Sequence, residues 1–119
     1  MVERDPVTTI DQILERIAEA RKLREARCRE DLDADVMFRL AAERVIEVIG
    51  EAVQRLPSAI QDRHPEIPWH RIVGMRNWLA HGYDAVDLEV LWDVLANRID
   101  EIEPLFLALR TETVRNSTT

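Results

Sequence analysis

The chain has 119 residues, 46% of them hydrophobic and 33% charged, which is typical of one globular domain and excludes a disordered chain. Its net charge of −7 argues against non-specific nucleic-acid binding, because affinity for phosphates comes mostly from Lys and Arg. The single cysteine, Cys28, excludes an intramolecular disulfide, and without a signal-peptide core or an apolar run of about 20 residues we expect a soluble cytoplasmic protein.

The first predicted helix runs from Pro6 to about Glu30, with no Gly or further Pro inside it. A break is predicted over residues 31–33, where Asp31 or Asp33 can cap the next helix. Apolar residues recur in the first helix at spacings of three and four, with Glu and Arg between them, which is the pattern of an amphipathic helix: Ile10, Ile13, Leu14, Ile17 and Ala20.

The second predicted helix covers about residues 34–56 and ends at Pro57, with one or two further helical turns over residues 58–63. Gly50 lies inside it. An interior Gly costs about 1 kcal/mol relative to Ala, so we interpret Gly50 as permitting close packing against another helix.

The third predicted helix starts at Pro68, where the missing N–H costs nothing, and reaches Ala80 or His81. Gly82 is a natural residue to follow it. The last helix begins at Asp87, and Pro104 within it predicts a kink or an early end with a second short piece beyond.

No strand-like alternation, repeat or low-complexity segment is present in the sequence. Four main helices with short connections predict a single all-α domain over residues 1–119, an up-and-down antiparallel bundle of four to five helices. Residues from about 112 to 119 are predicted to form a frayed tail. The apolar stripes and three tryptophans exceed what one thin bundle covers, so we expect a homodimer.

The few anion-seeking groups of this acidic chain are concentrated in one segment. Residues 63–81 contain three arginines against one acid, Glu66, and all three histidines of the chain. Within this segment the sequence GMRNWLAHGYD (74–84) brings an arginine, an amide, an imidazole and a phenol to one helix end. Helical spacing puts Arg76 in line with apolar neighbours and puts Asn77 on one face with His81, where it can hydrogen-bond the ring.

The residues Arg76, His81 and Tyr83 form an R-x4-H-x-Y motif, which resembles that of the HepT-like branch of the HEPN superfamily. Asn77 is similar to the polar residue that usually follows the arginine in that family. The resemblance extends over most of the chain: RDPVTTIDQILERI (4–17), IGEAVQRL (49–56) and HPEIPWHRIVGMRNWLAHGYDAVDLEVLW (64–92).

The resemblance implies a metal-independent endoribonuclease without a cofactor, the toxin of a toxin–antitoxin pair. It implies that Arg76 and His81 are catalytic, with Asn77 in a supporting role, and that two motifs face each other across the cleft of a homodimer. It also implies a partner encoded beside it, a minimal nucleotidyltransferase (MntA-like) antitoxin. That antitoxin would block the toxin by transferring AMP to Tyr83, which otherwise contacts substrate.

These residue types suit RNA cleavage without a metal. The reaction needs a base for the 2′-OH proton, an acid for the leaving 5′ oxygen and a cation on the phosphorane. Histidine titrates near neutral pH and can serve as either base or acid, and arginine is always charged and can bind phosphate with two hydrogen bonds. One His81 cannot easily do both jobs in a single step, whereas a symmetric dimer could divide them.

Structural alternatives exist for each site residue. Arg76 could form a salt bridge, with Glu51 as one acidic candidate, and His81 could simply be favoured by the helix dipole. Asn77 could cap or pack, and Tyr83 could be a rim residue.

Other residues have structural or functional alternatives as well. His64 and His70 are too few for a zinc site, and Cys28 is interpreted as a small side chain rather than a reactive thiol. Trp69, Trp78 and Trp92 are expected to pack in the core or an interface rather than to stack on bases. The alternative function is a non-catalytic module that binds a nucleotidyltransferase or a nucleotide.

Overall fold

The computed structural model describes residues 5–81 and 86–117, which form helices and connecting turns without any strand. The predicted all-α helical bundle is confirmed. In chain order the elements are α1 (Pro6–Leu23), α2 (Asp31–Ala34), α3 (Val36–Gln54), α4 (Ser58–Arg63), α5 (Trp69–His81), α6 (Leu88–Asp93), a π-helical segment (Val94–Arg98) and α7 (Ile99–Ser117).

The first helix is shorter than the sequence predicted. Asp5 caps its start by accepting a hydrogen bond from the Val7 N–H at 3.0 Å, but α1 ends at Leu23 rather than near Glu30. Residues 24–30 contain no large apolar side chain that could continue the buried stripe. There the chain turns instead, with Ala26 in the left-handed region at φ 56°.

The cap of α3 is Asp35, not Asp31 or Asp33 as predicted. Its Oδ1 accepts a hydrogen bond from the Phe38 N–H at 3.1 Å, and this bond holds the pKa of the Asp35 carboxyl below its ordinary value. The two earlier aspartates lie within the short helix α2. The short helix α2, which the sequence did not predict, therefore precedes the predicted second helix, α3.

The core lies mainly between α1, α3 and α7, which pack against one another through their apolar stripes. Phe106 of α7 and Ile10, Ile13 and Ile17 of α1 are completely buried. Helix α5 packs on the other side of α3. The apolar stripes predicted from the sequence are the surfaces that form this core.

The last helix continues through Pro104 to Ser117, so the predicted early end at Pro104 is wrong. Pro104 is exposed, while Ile102, Phe106 and Leu109 on either side of it are buried and hold the helix in place. The helix also includes residues from 112 to 117, where the sequence favoured a frayed tail.

A π-helical segment precedes α7, and it was not predicted. The Ile99 N–H donates to the carbonyl of Val94, five residues back, so the carbonyl of Leu95 loses its usual helical donor. Arg24 supplies the replacement: its Nη1 donates to the Leu95 and Ala96 carbonyls at 2.9 and 3.1 Å. Its Nη2 also donates to both carboxylate oxygens of Asp100, each at 2.8 Å.

Candidate active site

Trp69 anchors the start of α5, the helix that carries the predicted site. Its indole Nε1–H donates to the carbonyls of Gln61 and His64 at 3.1 and 2.9 Å. Its ring meets Phe106 edge to face, with centroids 5.8 Å apart. The prediction that Trp69 packs in the core is confirmed, and Trp78 and Trp92 are half-buried.

Gly50 allows α5 to lie directly on α3. An added Cβ at Gly50 would stand 2.3 Å from Cβ of Arg76 and 3.2 Å from the carbonyl oxygen of Ile72. Real side chains do not approach so closely, so the glycine is required for this contact. The interpretation of Gly50 as a close-packing residue is confirmed, and its partner is the motif arginine.

The charged end of Arg76 has few partners within the described residues. Its Nη1 donates to Oδ1 of Asn77 at 3.2 Å, and its Nε is buried without an acceptor. No carboxylate lies within salt-bridge distance of it in that part of the chain. Glu51, the acidic candidate, instead accepts from Nη1 of Arg44 at 3.3 Å. The guanidinium is therefore not neutralised by a described carboxylate.

His81 is the last residue of α5, and its side chain is exposed. Asn77 is exposed one turn earlier, but its Oδ1 faces Arg76, and no hydrogen bond joins Asn77 to His81. The predicted Asn77–His81 bond is therefore wrong, and Asn77 bonds Arg76 instead. Tyr83 lies outside the described residues.

The arginines of α4 and α5 differ from most others in the chain. Within residues 5–81 and 86–117, Arg63, Arg71 and Arg76 have no carboxylate within 4.0 Å, and Lys22 and Arg55 share this property. The sequence showed the cluster of cations but not this lack of partners. Among the arginines that pair with an acidic side chain are Arg16, Arg21, Arg24, Arg27, Arg29, Arg39, Arg44, Arg98 and Arg110.

An apolar groove of about 370 Å³ lies between α5 on one side and α6 with the π-helical segment on the other. Residues of α3 line the groove as well, and so does Arg71 of α5. Val90 at its edge is 40% exposed. Apolar side chains of α3, α5, α6, the π-helical segment and α7 line it: Ile46, Ile49, Ile72, Met75, Val90, Val94, Ile99 and Ile102.

The described residues contain no group of three or more His, Cys, Asp or Glu side chains arranged to hold a metal ion. His64 is near two carboxylates, at 3.2 Å from Glu66 and 3.5 Å from Glu112, and His70 is exposed. No described helix has the length and apolar character needed to cross a membrane.

Gly74 is a feature whose role sequence reasoning missed. It is exposed in the middle of α5, and a Cβ added to it would meet nothing within 4 Å. An interior helical glycine without a packing partner is unfavourable by about 1 kcal/mol relative to Ala. The sequence did show a glycine inside a predicted helix, and this could have indicated that the position has a special role.

Comparison with known proteins identifies relatives over most of this chain. A family model described as ribonuclease HepT-like matches residues 13–109. The chain is 40% identical over 101 residues to "Probable ribonuclease HepT" of Thermococcus cleftensis, covering 82% of this chain and 92% of that protein.

More distant matches are of the same kind. The chain is 38% identical over 74 residues to a protein of Caldanaerobacter subterraneus that carries an RNase assignment, covering 62% of this chain and 66% of the relative. A Methanocaldococcus jannaschii protein with the same type of assignment is 39% identical over 69 residues, covering 58% and 57%. No solved structure gives a significant match.

Proposed function

Because this chain belongs to the HepT-like ribonuclease family, we propose that it is the toxin of a toxin–antitoxin pair and cleaves RNA with Arg76 and His81. The observation that carries the proposal is the motif arginine itself. Arg76 is held on α3 through Gly50, and no described carboxylate neutralises it. A substrate phosphate is the anion that this guanidinium is available to bind.

The proposed reaction is a transesterification within the RNA strand. The 2′ oxygen attacks the adjacent phosphorus while a base removes the 2′-OH proton, and a P–O bond forms to give a 2′,3′-cyclic phosphate. The bond from phosphorus to the 5′ oxygen breaks as an acid protonates the leaving oxygen. His81 exchanges protons in these steps, and Arg76 stabilises the negative charge that develops on the phosphorane. Asn77 supports the site by orienting the guanidinium of Arg76.

A second copy of the chain would complete this site, since a single imidazole cannot be base and acid at once. The apolar groove beside α5 supports a homodimer, because it leaves Val90 and its neighbours uncovered next to the motif helix. Val90→Asp should therefore give a monomer by light scattering and reduce cleavage. Leu107→Asp, which alters a 51%-exposed side chain outside the groove, is the matched control and should stay dimeric.

The proposed antitoxin is an MntA-like minimal nucleotidyltransferase that modifies Tyr83. The phenolic oxygen would attack the α-phosphorus of ATP, lose its proton and carry AMP, while pyrophosphate leaves. A bulky anion two residues from His81 would compete with RNA phosphate and switch the toxin off. Both proteins and the RNA would meet in the cytoplasm, which is the compartment we propose.

The decisive experiment compares His81→Ala with a control histidine, His64→Gln. We expect His81→Ala to keep its melting temperature and lose RNA cleavage, whereas His64→Gln keeps both cleavage and toxicity. Cleavage by purified His81→Ala at the rate of the unmodified chain would overturn the proposal. A dimer that is intact but inactive on any RNA would favour a non-catalytic module that binds the nucleotidyltransferase.

Peptide mapping after co-expression tests the antitoxin. Added mass of AMP on the peptide containing Tyr83, and its absence in Tyr83→Phe, is the expected result. Inhibition by the partner without any added mass would argue for inhibition by complex formation.

A further inference from the structure

One face of α5 points away from α3 and continues well beyond the motif. His70, Gly74, Asn77 and His81 follow one another at spacings of four, three and four residues, which puts them on one side of the helix. All four are exposed. We call this set the outward stripe of α5. At a rise of about 1.5 Å per residue it extends roughly 16 Å from His70 to His81.

The middle of the outward stripe is open down to the helix backbone. A Cβ at Gly74 would have no heavy atom within 4 Å, and no glycine among the described residues has a positive φ. Neither packing nor backbone conformation explains why Gly is present, in contrast to Gly50. A position without a side chain lets a ligand lie directly against the helix.

The end of the stripe far from His81 is cationic. Arg71 follows His70 and is exposed, at the boundary between the outward stripe and the apolar groove that it also lines. Arg71 has no carboxylate within 4.0 Å in the described part of the chain, although most arginines outside α4 and α5 do. Arg71 is thus a cation beside the outward stripe that no described carboxylate neutralises.

We propose that the outward stripe is an RNA-binding track that extends the cleavage site toward the start of α5. His70 and Arg71 hold a phosphate a few nucleotides away from the one bound at Arg76 and His81, and the strand lies against the helix at Gly74. This proposal rests on the proposed ribonuclease function and adds to it where the rest of the substrate binds.

RNA suits the stripe better than a second copy of the chain does. The stripe has polar side chains and no large apolar one, whereas the apolar groove on another side of α5 offers the surface that a second copy would bury. Phosphate also complements the charge of Arg71, which no described carboxylate neutralises.

A track of this kind makes cleavage depend on substrate length. Contacts distant from the reacting phosphate contribute binding energy that short substrates lack. A dinucleotide occupies the site at Arg76 and His81 but cannot reach His70. A decanucleotide reaches the whole stripe.

The experiment measures kcat/KM for a dinucleotide and a decanucleotide in the full-length chain and three variants. The variants are Gly74→Ala, the double variant His70→Gln/Arg71→Gln, and Arg55→Gln as the control. Arg55 is also exposed and without a described carboxylate partner, but it is bonded to Gln12 on α1. We expect the decanucleotide-to-dinucleotide ratio to fall about tenfold or more in the first two variants and to remain unchanged in Arg55→Gln.

Salt dependence gives a second reading with the same proteins. Binding of a 2′-O-methyl decanucleotide should lose about one unit of its salt slope in His70→Gln/Arg71→Gln, because one fewer phosphate is neutralised. An unchanged ratio together with an unchanged salt slope would overturn the track. So would conversion of a dimer to a monomer by Gly74→Ala, since the stripe would then be an interface between copies.

His81→Ala separates failure of the track from failure of the proposed function. Loss of all cleavage in His81→Ala, with normal length dependence in the stripe variants, would reject the track alone. Full cleavage of both substrates by His81→Ala would reject the ribonuclease site itself.

Discussion

Gly50 of α3 and Arg76 of α5 are in such close contact that a Cβ on the glycine would lie 2.3 Å from Cβ of the arginine. The aliphatic part of the motif arginine therefore rests on helix backbone. Because two packed helices fix that part of the side chain, the guanidinium projects from a rigid base. The position of a proposed catalytic group depends on a residue that has no side chain.

Replacing the two interior glycines should have opposite effects on stability. In Gly50→Ala the new methyl group collides with Arg76, and overpacking of this kind costs about 1–3 kcal/mol. In Gly74→Ala nothing is within 4 Å, so the gain in helix propensity should stabilise the fold by up to about 1 kcal/mol. Thermal unfolding measures both, and a lower melting temperature for Gly74→Ala would show that its surroundings are not open.

Arg76→Met should separate stability from activity. The Arg76 Nε is buried without an acceptor among the described residues, and leaving such a donor unpaired costs about 1–3 kcal/mol. Methionine retains the apolar stem and removes that donor. We expect a melting temperature equal to or above that of the unmodified chain, with RNA cleavage abolished. A clear loss of stability would mean that the guanidinium has a structural role.

Arg24→Met should destabilise the π-helical segment. The substitution removes the donors to the Leu95 and Ala96 carbonyls and the pair with Asp100, for an expected loss of about 1–3 kcal/mol in the free energy of unfolding. Arg21→Met is the control: Arg21 also pairs with Asp100 but is 48% exposed, compared with 20% for Arg24. Denaturant melts that show equal losses for both variants would contradict the special role of Arg24.

Cys28 should react slowly with alkylating reagents although it is exposed. A hydrogen bond from its thiol to the Glu30 carboxylate raises the pKa of Cys28, so less of the reactive thiolate is present at pH 8. Glu30→Gln removes that carboxylate and should lower the pKa of Cys28, which increases the alkylation rate at pH 8. Glu25→Gln is the control. A pH–rate profile that is identical in Glu30→Gln and the unmodified chain would contradict this assignment.

Much of the architecture could be predicted because helical periodicity is a local property. The apolar positions of α1 and α3 recur every three or four residues, and these stripes are the ones buried in the core. Asp87 was predicted to start the last helix, and its side chain caps α6 by accepting from the Glu89 N–H at 2.9 Å.

The sequence-based predictions of the helices were wrong or incomplete where contacts between distant parts of the chain outweigh the preferences of neighbouring residues. Pro104 is a strong local helix breaker, but the burial of Phe106 against the rest of the core carries α7 past it. The π-helical segment depends on Arg24, which is about 70 residues away in sequence, as the bonds to the Leu95 and Ala96 carbonyls show. No local pattern reports a donor supplied from so far along the chain.

By itself, the sequence determined the helical class, the apolar stripes and the R-x4-H-x-Y motif, because each depends on residue types at fixed short spacings. The tertiary structure alone decided that Gly50 packs on Arg76, that Asn77 bonds the arginine rather than His81, and that the cations of α4 and α5 lack carboxylate partners among the described residues. These relationships depend on how α3 and α5 approach in space, and that approach results from burial summed over the whole core.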